Sequence, residues 1–261
     1  MSVPMLLAVL DAKGAPGGTT AAVALALAWP GPVLLADCDP AGGDIAPGWL
    51  AGRAGTGRGL LSAVTATRHT PALDPATLAA HCVSVPEAGH LLVLPGLARA
   101  EQADALGGGD WARLAAALHH LHKPDSVAVD VIADCGRIGP GTPWPLLTAA
   151  DPVLLACRPT VRGVHHARAA AVLAADRLGR QTSLGLLLTG AGPYRPGDVA
   201  RAVGLPVRAA LPEDRPAAAQ LSDGTGPGRN LGRSALLRAA RTAAAALHHP
   251  PGPSVAADGA R

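Results

Sequence analysis

The chain has 261 residues, enough for one sizeable α/β domain with a substantial core; 49% are hydrophobic, 2% are aromatic and none is Phe. The core must therefore come from Ala, Leu and Val, and the 25 prolines and 32 glycines are spread along the chain, which excludes a collagen-like or low-complexity composition. A net charge of +3 is a mild excess that permits weak contact with DNA or acidic lipid and argues for neither.

Short apolar runs alternate with Ala-rich segments. Strands are predicted over Met5–Asp11, Pro32–Asp37, Cys82–Val85, Leu91–Leu94, Ser126–Asp134, Pro152–Cys157, Ser183–Thr189 and Val207–Leu211. Helices are predicted over Thr19–Trp29, Asp74–Ala80, Asp110–Leu121, Arg162–Leu178, Asp198–Val203, Pro216–Leu221 and Arg233–Leu247. Runs such as "VLLAD" and "LGLLLTG" are apolar throughout, as expected of parallel strands covered on both faces. The expected fold is α/β, a doubly wound, mostly parallel sheet with helices on both faces. Cys82–Leu94, with "PEAGH" between two short runs, predicts a hairpin near the sheet edge. One domain is expected over 1–249, followed by a disordered Pro/Gly/Ala tail over 250–261. No apolar run reaches the length of a membrane span, and the N-terminus lacks a basic leader, so a cytoplasmic, soluble chain is expected.

Ligands of open α/β sheets bind at the carboxyl ends of the strands. Three stretches fall there: "AKGAPGGTT" (Ala12–Thr20), "DCDPAGGD" (Asp37–Asp44) and "DVIADCGR" (Asp130–Arg137). Glycines let backbone N–H groups turn inward around a phosphate, and the next helix presents its positive end. Thr19 stands where a hydroxyl can ligate Mg²⁺, and Asp134 where a carboxylate can hold that ion's water; Asp39 or Asp37 can orient an attacking water. Lys13 and Lys123 are the only lysines, and the first lies inside the loop.

Together these stretches resemble the ParA/MinD family of deviant P-loop ATPases, whose loop reads K-G-G-x-G-K-T/S. Here it reads Lys13-Gly14-Ala15-Pro16-Gly17-Gly18-Thr19, and Asp37–Asp44 is similar to the family's D-x-D-P-x-G motif. "ADPVLLACRPTVRGVHHA" and "LPVRAALPEDRPAAAQLSDG" look like two later family regions, so the likeness spans nearly residues 1–247. The resemblance is greatest to a divergent chromosome-partitioning or MinD-like branch whose loops look like K-G-S-P-G-x-T-T. It implies that residues 13–20 bind ATP and that Thr19 and Asp134 bind Mg²⁺. Thr20 would contact the α-phosphate, and Asp39 would orient water. Lys13 would reach the partner's phosphates in a nucleotide-dependent homodimer. Arg158, Thr189 and the Pro212–Asp214 loop would lie near adenine. The departure is Gly18, where the family carries a second lysine. A charge-assisted hydrogen bond is worth about 1.5–3 kcal/mol, so its loss weakens phosphate binding by roughly 10–100-fold and hydrolysis further. A nucleotide switch with slow or absent hydrolysis follows, read by a protein partner; a nucleotide-free scaffold and, third, a DNA-binding partition protein are the alternatives.

Three further features read as structural. The four cysteines are widely spaced and read as buried reduced thiols, including Cys38 and Cys135 at the proposed loops. The histidine pairs at 119/120, 165/166 and 248/249 diverge by about 100° on a helix and read as solvent-facing rather than metal ligands. Asp130 reads as an outward-facing or edge residue. The last helix has an Ala-rich apolar face without bulky anchors, so it is expected to pack on the sheet rather than insert in a membrane, though a peripheral membrane or nucleoid location is compatible.

Overall fold

The computed structural model describes residues 4–249 except 15, 16, 54, 56, 71, 124, 126, 180, 181 and 225–229; the expected tail lies outside the described residues. In chain order the strands are β1 (Leu6–Asp11), β2 (Val33–Asp37), β3 (Val83–Ser84), β4 (Leu91–Leu94), β5 (Asp130–Arg137), β6 (Val153–Cys157), β7 (Leu184–Thr189) and β8 (Val207–Leu211). They form one sheet in the order β3-β4-β2-β5-β1-β6-β7-β8, parallel except for the antiparallel β3–β4 pair at one edge. That pair is the hairpin anticipated from "PEAGH". The fold is the expected α/β one, a mostly parallel sheet with helices on both faces.

The helices are α1 (Gly18–Leu27), α2 (Leu60–Ala66), α3 (Pro75–Ala80), α4 (Gly108–His119), α5 (Trp144–Ala149), α6 (Val161–Leu178), α7 (Pro196–Val203), α8 (Arg215–Ser222) and α9 (Ala235–His248). Neither α2 nor α5 was expected. Both are only two turns long and begin at a glycine or a proline, too brief for a 3.6-residue period to declare itself.

Strand residues alternate between two cores, as the two-residue period of a strand requires. Leu6, Ala8 and Leu10 of β1 face a core shared with Leu114 and Leu118 of α4, Leu146 of α5 and Ala167, Ala171 and Ala174 of α6. Leu7 and Val9 face the other core, with α1, α8 and α9. Small side chains set the spacing there. Seven of the ten residues of α1 are buried, and α9 contributes Leu236, Leu237, Ala240, Ala243, Ala244 and Leu247. The last helix thus packs on the sheet side, against α1 and β8. All four cysteines are buried and unpaired.

Asp130 corrects the sequence reading. The strand called Ser126–Asp134 begins instead at Asp130 and runs to Arg137, and Asp130 is 7% exposed. Its carboxylate accepts the Met5 backbone N–H at 2.8 Å and Trp29 Nε1–H at 2.8 Å, and His248 Nδ1 lies 2.9 Å from Oδ2. His248 is therefore not simply solvent-facing. This polar cluster ties the start of β1, the end of α1 and the end of α9 together at the edge opposite the carboxyl tips.

Candidate functional site

The sheet order brings together acids near the carboxyl ends of three neighbouring strands, Asp37 of β2, Asp134 of β5 and Asp11 of β1. In the registers β2–β5 and β1–β5, Asp37 pairs with Asp134, and Asp134 with Val9, just before a bulge that sets Asp11 beside Arg137. The loop after β1 then enters α1. Helices α3, α6, α8 and α9 begin with side-chain caps from Asp74, Thr160, Asp214 and Ser234. Helix α1 begins at Gly17 in the left-handed region (φ 98°) with no side-chain cap. No side chain satisfies its first N–H groups, the arrangement from which helix N-termini can bind anions.

A cleft of about 900 Å³ opens over this end, floored by Gly17, Gly18 and Thr19 and walled by Asp11, Asp39 and Arg137. That volume suits a small-molecule site. The Thr19 side chain lies close enough to the Asp134 carboxylate to favour its charged form. Thr20 Oγ1 lies 3.2 Å from Ser222 Oγ. Ala15 and Pro16 lie outside the described residues; Gly14, Gly17, Gly18, Thr19, Thr20 and Asp39 all border the cleft.

The two acids of "DCDP" separate by burial. Asp37 is 1% exposed, accepts the Ile45 N–H, and is so tightly enclosed that a Cβ on Gly43 or Gly96 would collide with its carboxyl group. Asp37 folds the loop. Asp39 stands in the cleft, accepting the Ala41 N–H at 2.7 Å. Gly136, at φ 62°, is needed because a side chain there would overlap the Asp39 carboxylate.

The electrostatics are those of too many acids and too few cations. Burial, reinforced by Asp134 and Asp39, raises Asp11 to about 8. Burial raises Asp134 to about 6 against the opposing hydrogen bond from Thr19. Asp37 is pushed well above the ordinary range by burial and by Asp134, and Asp39 is raised by burial while Ala41 N–H and Arg137 pull it down. Asp11 Oδ1 is buried without a hydrogen-bond partner. A hard cation among these oxygens would relieve all of this, so the donor set fits Mg²⁺. Among the described residues no cluster of His, Cys, Asp or Glu could hold a metal alone. Mg²⁺ usually takes one or two protein oxygens and completes its shell with phosphates and water, so that result is compatible with the fit.

Lys13 is exposed and borders a separate groove of about 330 Å³ with Arg158 and Arg162, outside the cleft of its own chain. A third pocket of about 250 Å³ joins Gly17 and Thr20 to Arg158, Thr189 and Pro212–Asp214. The residues assigned loosely to a base are thus together beside the loop. Asp11 and Arg137 were not singled out from sequence. Asp11 looked like the last residue of a strand and Arg137 like the end of a motif; their adjacency in the loop–strand register was the missing signal.

No family model matches the chain, and no curated protein matches it in sequence. Solved structures do. It is similar to a ParA family ATPase from Chlorobium tepidum TLS (19% identity, 93% of this chain and 98% of that one, TM-score 0.74). It is also similar to MinD in the MinC:MinD cell division complex of Aquifex aeolicus (14%, 95% and 98%, TM-score 0.63). The septum site-determining protein MinD complexed with Mg-ADP from Pyrococcus horikoshii OT3 is a third (16%, 92% and 94%, TM-score 0.62). At these identities the likeness is one of fold, and the fold is that of ParA and MinD ATPases.

Proposed function

We propose that this chain is an ATP-binding switch of the ParA/MinD type, whose Mg-nucleotide state is read by a protein partner during partitioning or intracellular positioning. The observation that carries the reading is the uncapped α1 terminus opening, with Thr19 and Asp134 in contact, onto a cleft ringed by aspartates. The amides of residues 17–20 bind phosphate oxygens, Thr19 and Asp134 hold Mg²⁺, and the Arg158–Thr189 pocket takes the base. Mg²⁺ supplies the positive charge that lets a polyphosphate approach Asp11, Asp39 and Asp134. Asp39 orients the attacking water. With Gly18 in place of a lysine, less charge is stabilised as the phosphoryl group transfers, so turnover is slow or absent.

Lys13 borders the neighbouring groove rather than the cleft of its own chain, which supports its use in trans, across a homodimer closed over two nucleotides. The similar MinD was solved with MinC and another with Mg-ADP, which supports the partner and ligand classes. The second reading, a nucleotide-free scaffold, is favoured by one observation: the Asp11 carboxylate fills the space into which a side chain at 18 would grow. Titration with a fluorescent ATP analogue and Mg²⁺, followed by light scattering, separates the two. Saturable Mg-dependent binding is expected, weakened about tenfold in Thr19→Ala, with nucleotide-dependent dimers lost in Lys13→Ala. Absence of binding at millimolar nucleotide leaves the scaffold. Weak, salt-sensitive retention on DNA would add the third function.

A further inference from the structure

The loop after β1 directs no lysine into the cleft, because Gly18 has no side chain and Lys13 faces the neighbouring groove. A different element supplies a cation. Arg137 ends β5, immediately after the Asp134–Cys135–Gly136 tip, in register with Asp11 on β1. The left-handed turn at Gly136 lets the strand pass over Asp39 without a clash. The Arg137 side chain then lies along the start of the loop: a Cβ added to Gly14 would stand 3.6 Å from its Nη1 and 4.0 Å from its Cδ. It borders the same cleft as Gly17, Gly18 and Thr19. Its field reaches Asp39. Among the described residues its guanidinium makes no hydrogen bond or ion pair, although Asp11 and Asp39 border the same cleft.

We propose that Arg137 is the phosphate-binding cation of this site, supplied in cis from the β5 tip in place of the side chain that Gly18 lacks. The inference rests on the nucleotide reading above and names the residue on which its affinity depends. A guanidinium offers a rigid fork to two phosphate oxygens and stays charged at any working pH. Its root on a central strand fixes its origin more firmly than a loop residue. Arg158 also borders the cleft, but its guanidinium lies 3.5 Å from the Cβ position of Gly190, beside the pocket assigned to the base. It serves as the internal comparison.

The test uses the full chain with Mg²⁺ and a fluorescent ATP analogue, displaced by unlabelled ATP and, separately, by inorganic tripolyphosphate. Arg137→Ala is expected to lose about 10–100-fold in affinity for both displacers, and Arg137→Lys to recover part of it. Arg158→Ala is expected to weaken ATP more than tripolyphosphate. Melting of Arg137→Ala is expected to match the wild type, since no partner is lost; Arg137→Gln, which keeps most of the stem, carries the comparison if it does not. Wild-type affinity in Arg137→Ala, alongside loss in Thr19→Ala, overturns the inference and leaves the nucleotide reading standing. Tripolyphosphate binding that depends on Arg158 and not Arg137 overturns it too. Failure of the wild type itself to bind millimolar ATP removes both.

Discussion

At the scale of single residues, two aspartates in apolar runs have opposite meanings. Asp130 is satisfied on both oxygens, by Met5 N–H and by Trp29 Nε1–H, and lies against His248. Removing one partner of a buried hydrogen bond leaves the others unsatisfied at about 1–3 kcal/mol each. Asp130→Ala is therefore expected to destabilise the fold by about 2–4 kcal/mol in denaturant melts while leaving nucleotide affinity unchanged. Asp11 has the contrary character: one oxygen lacks any partner, and its carboxylate crowds Gly18. Asp130 is framing, and Asp11 borders the cleft. Neither assignment was legible in sequence, where Asp11 was merely the last residue of one apolar strand and Asp130 an outward-facing or edge residue of another.

At the scale of elements, α1 is the piece on which the site depends. Its alanines let it lie close to the sheet, and its N-terminal turn is held by backbone conformation rather than by a capping side chain. Gly17 has open space where a Cβ would go, so Gly17→Ala introduces left-handed strain and no collision. That strain is worth about 1–2 kcal/mol. Ser234→Ala, which removes the side-chain cap of α9, costs about 1 kcal/mol. The two variants are expected to melt similarly, each lowered by roughly 2–4 °C per kcal/mol. Only Gly17→Ala should also weaken binding of the ATP analogue, because only it tilts the amides proposed to meet phosphate. Equal binding in both would detach the α1 terminus from the ligand.

For the molecule as a whole, a sheet that brings Asp11, Asp37, Asp39 and Asp134 to one edge has a consequence for pH. Asp11 is raised from 3.8 to about 8 and Asp134 to about 6. A carboxyl group raised on folding holds its proton in the folded state over a range where the unfolded chain has lost it. Its contribution to stability is fully present below the unfolded value near 3.8 and is lost as pH rises through the folded value. For Asp11 the window is about 4 to 8, with a slope of at most about 1.4 kcal/mol per pH unit. Ligand-free protein is expected to melt higher at pH 6 than at pH 8, and Asp11→Asn to flatten that difference. A melting temperature independent of pH between 6 and 8 in the wild type would contradict the buried, unpaired state of Asp11.

Sequence alone was enough for the alternation of strands and helices, the parallel sheet and the glycine-rich loop between β1 and α1, because all three rest on local periodicity and on the backbone freedom of glycine. It also brought Thr19, Asp39 and Asp134 into one argument, since each follows a strand at its carboxyl end. Only the tertiary structure decided which acids are framework and which face the cleft. It also decided that Lys13 faces a different groove, that Trp29 and His248 meet Asp130, and that Arg137 comes to lie across the loop. The physical reason is that each of these depends on sheet order and register, which bring residues a hundred or more positions apart into contact and leave no trace in the local pattern.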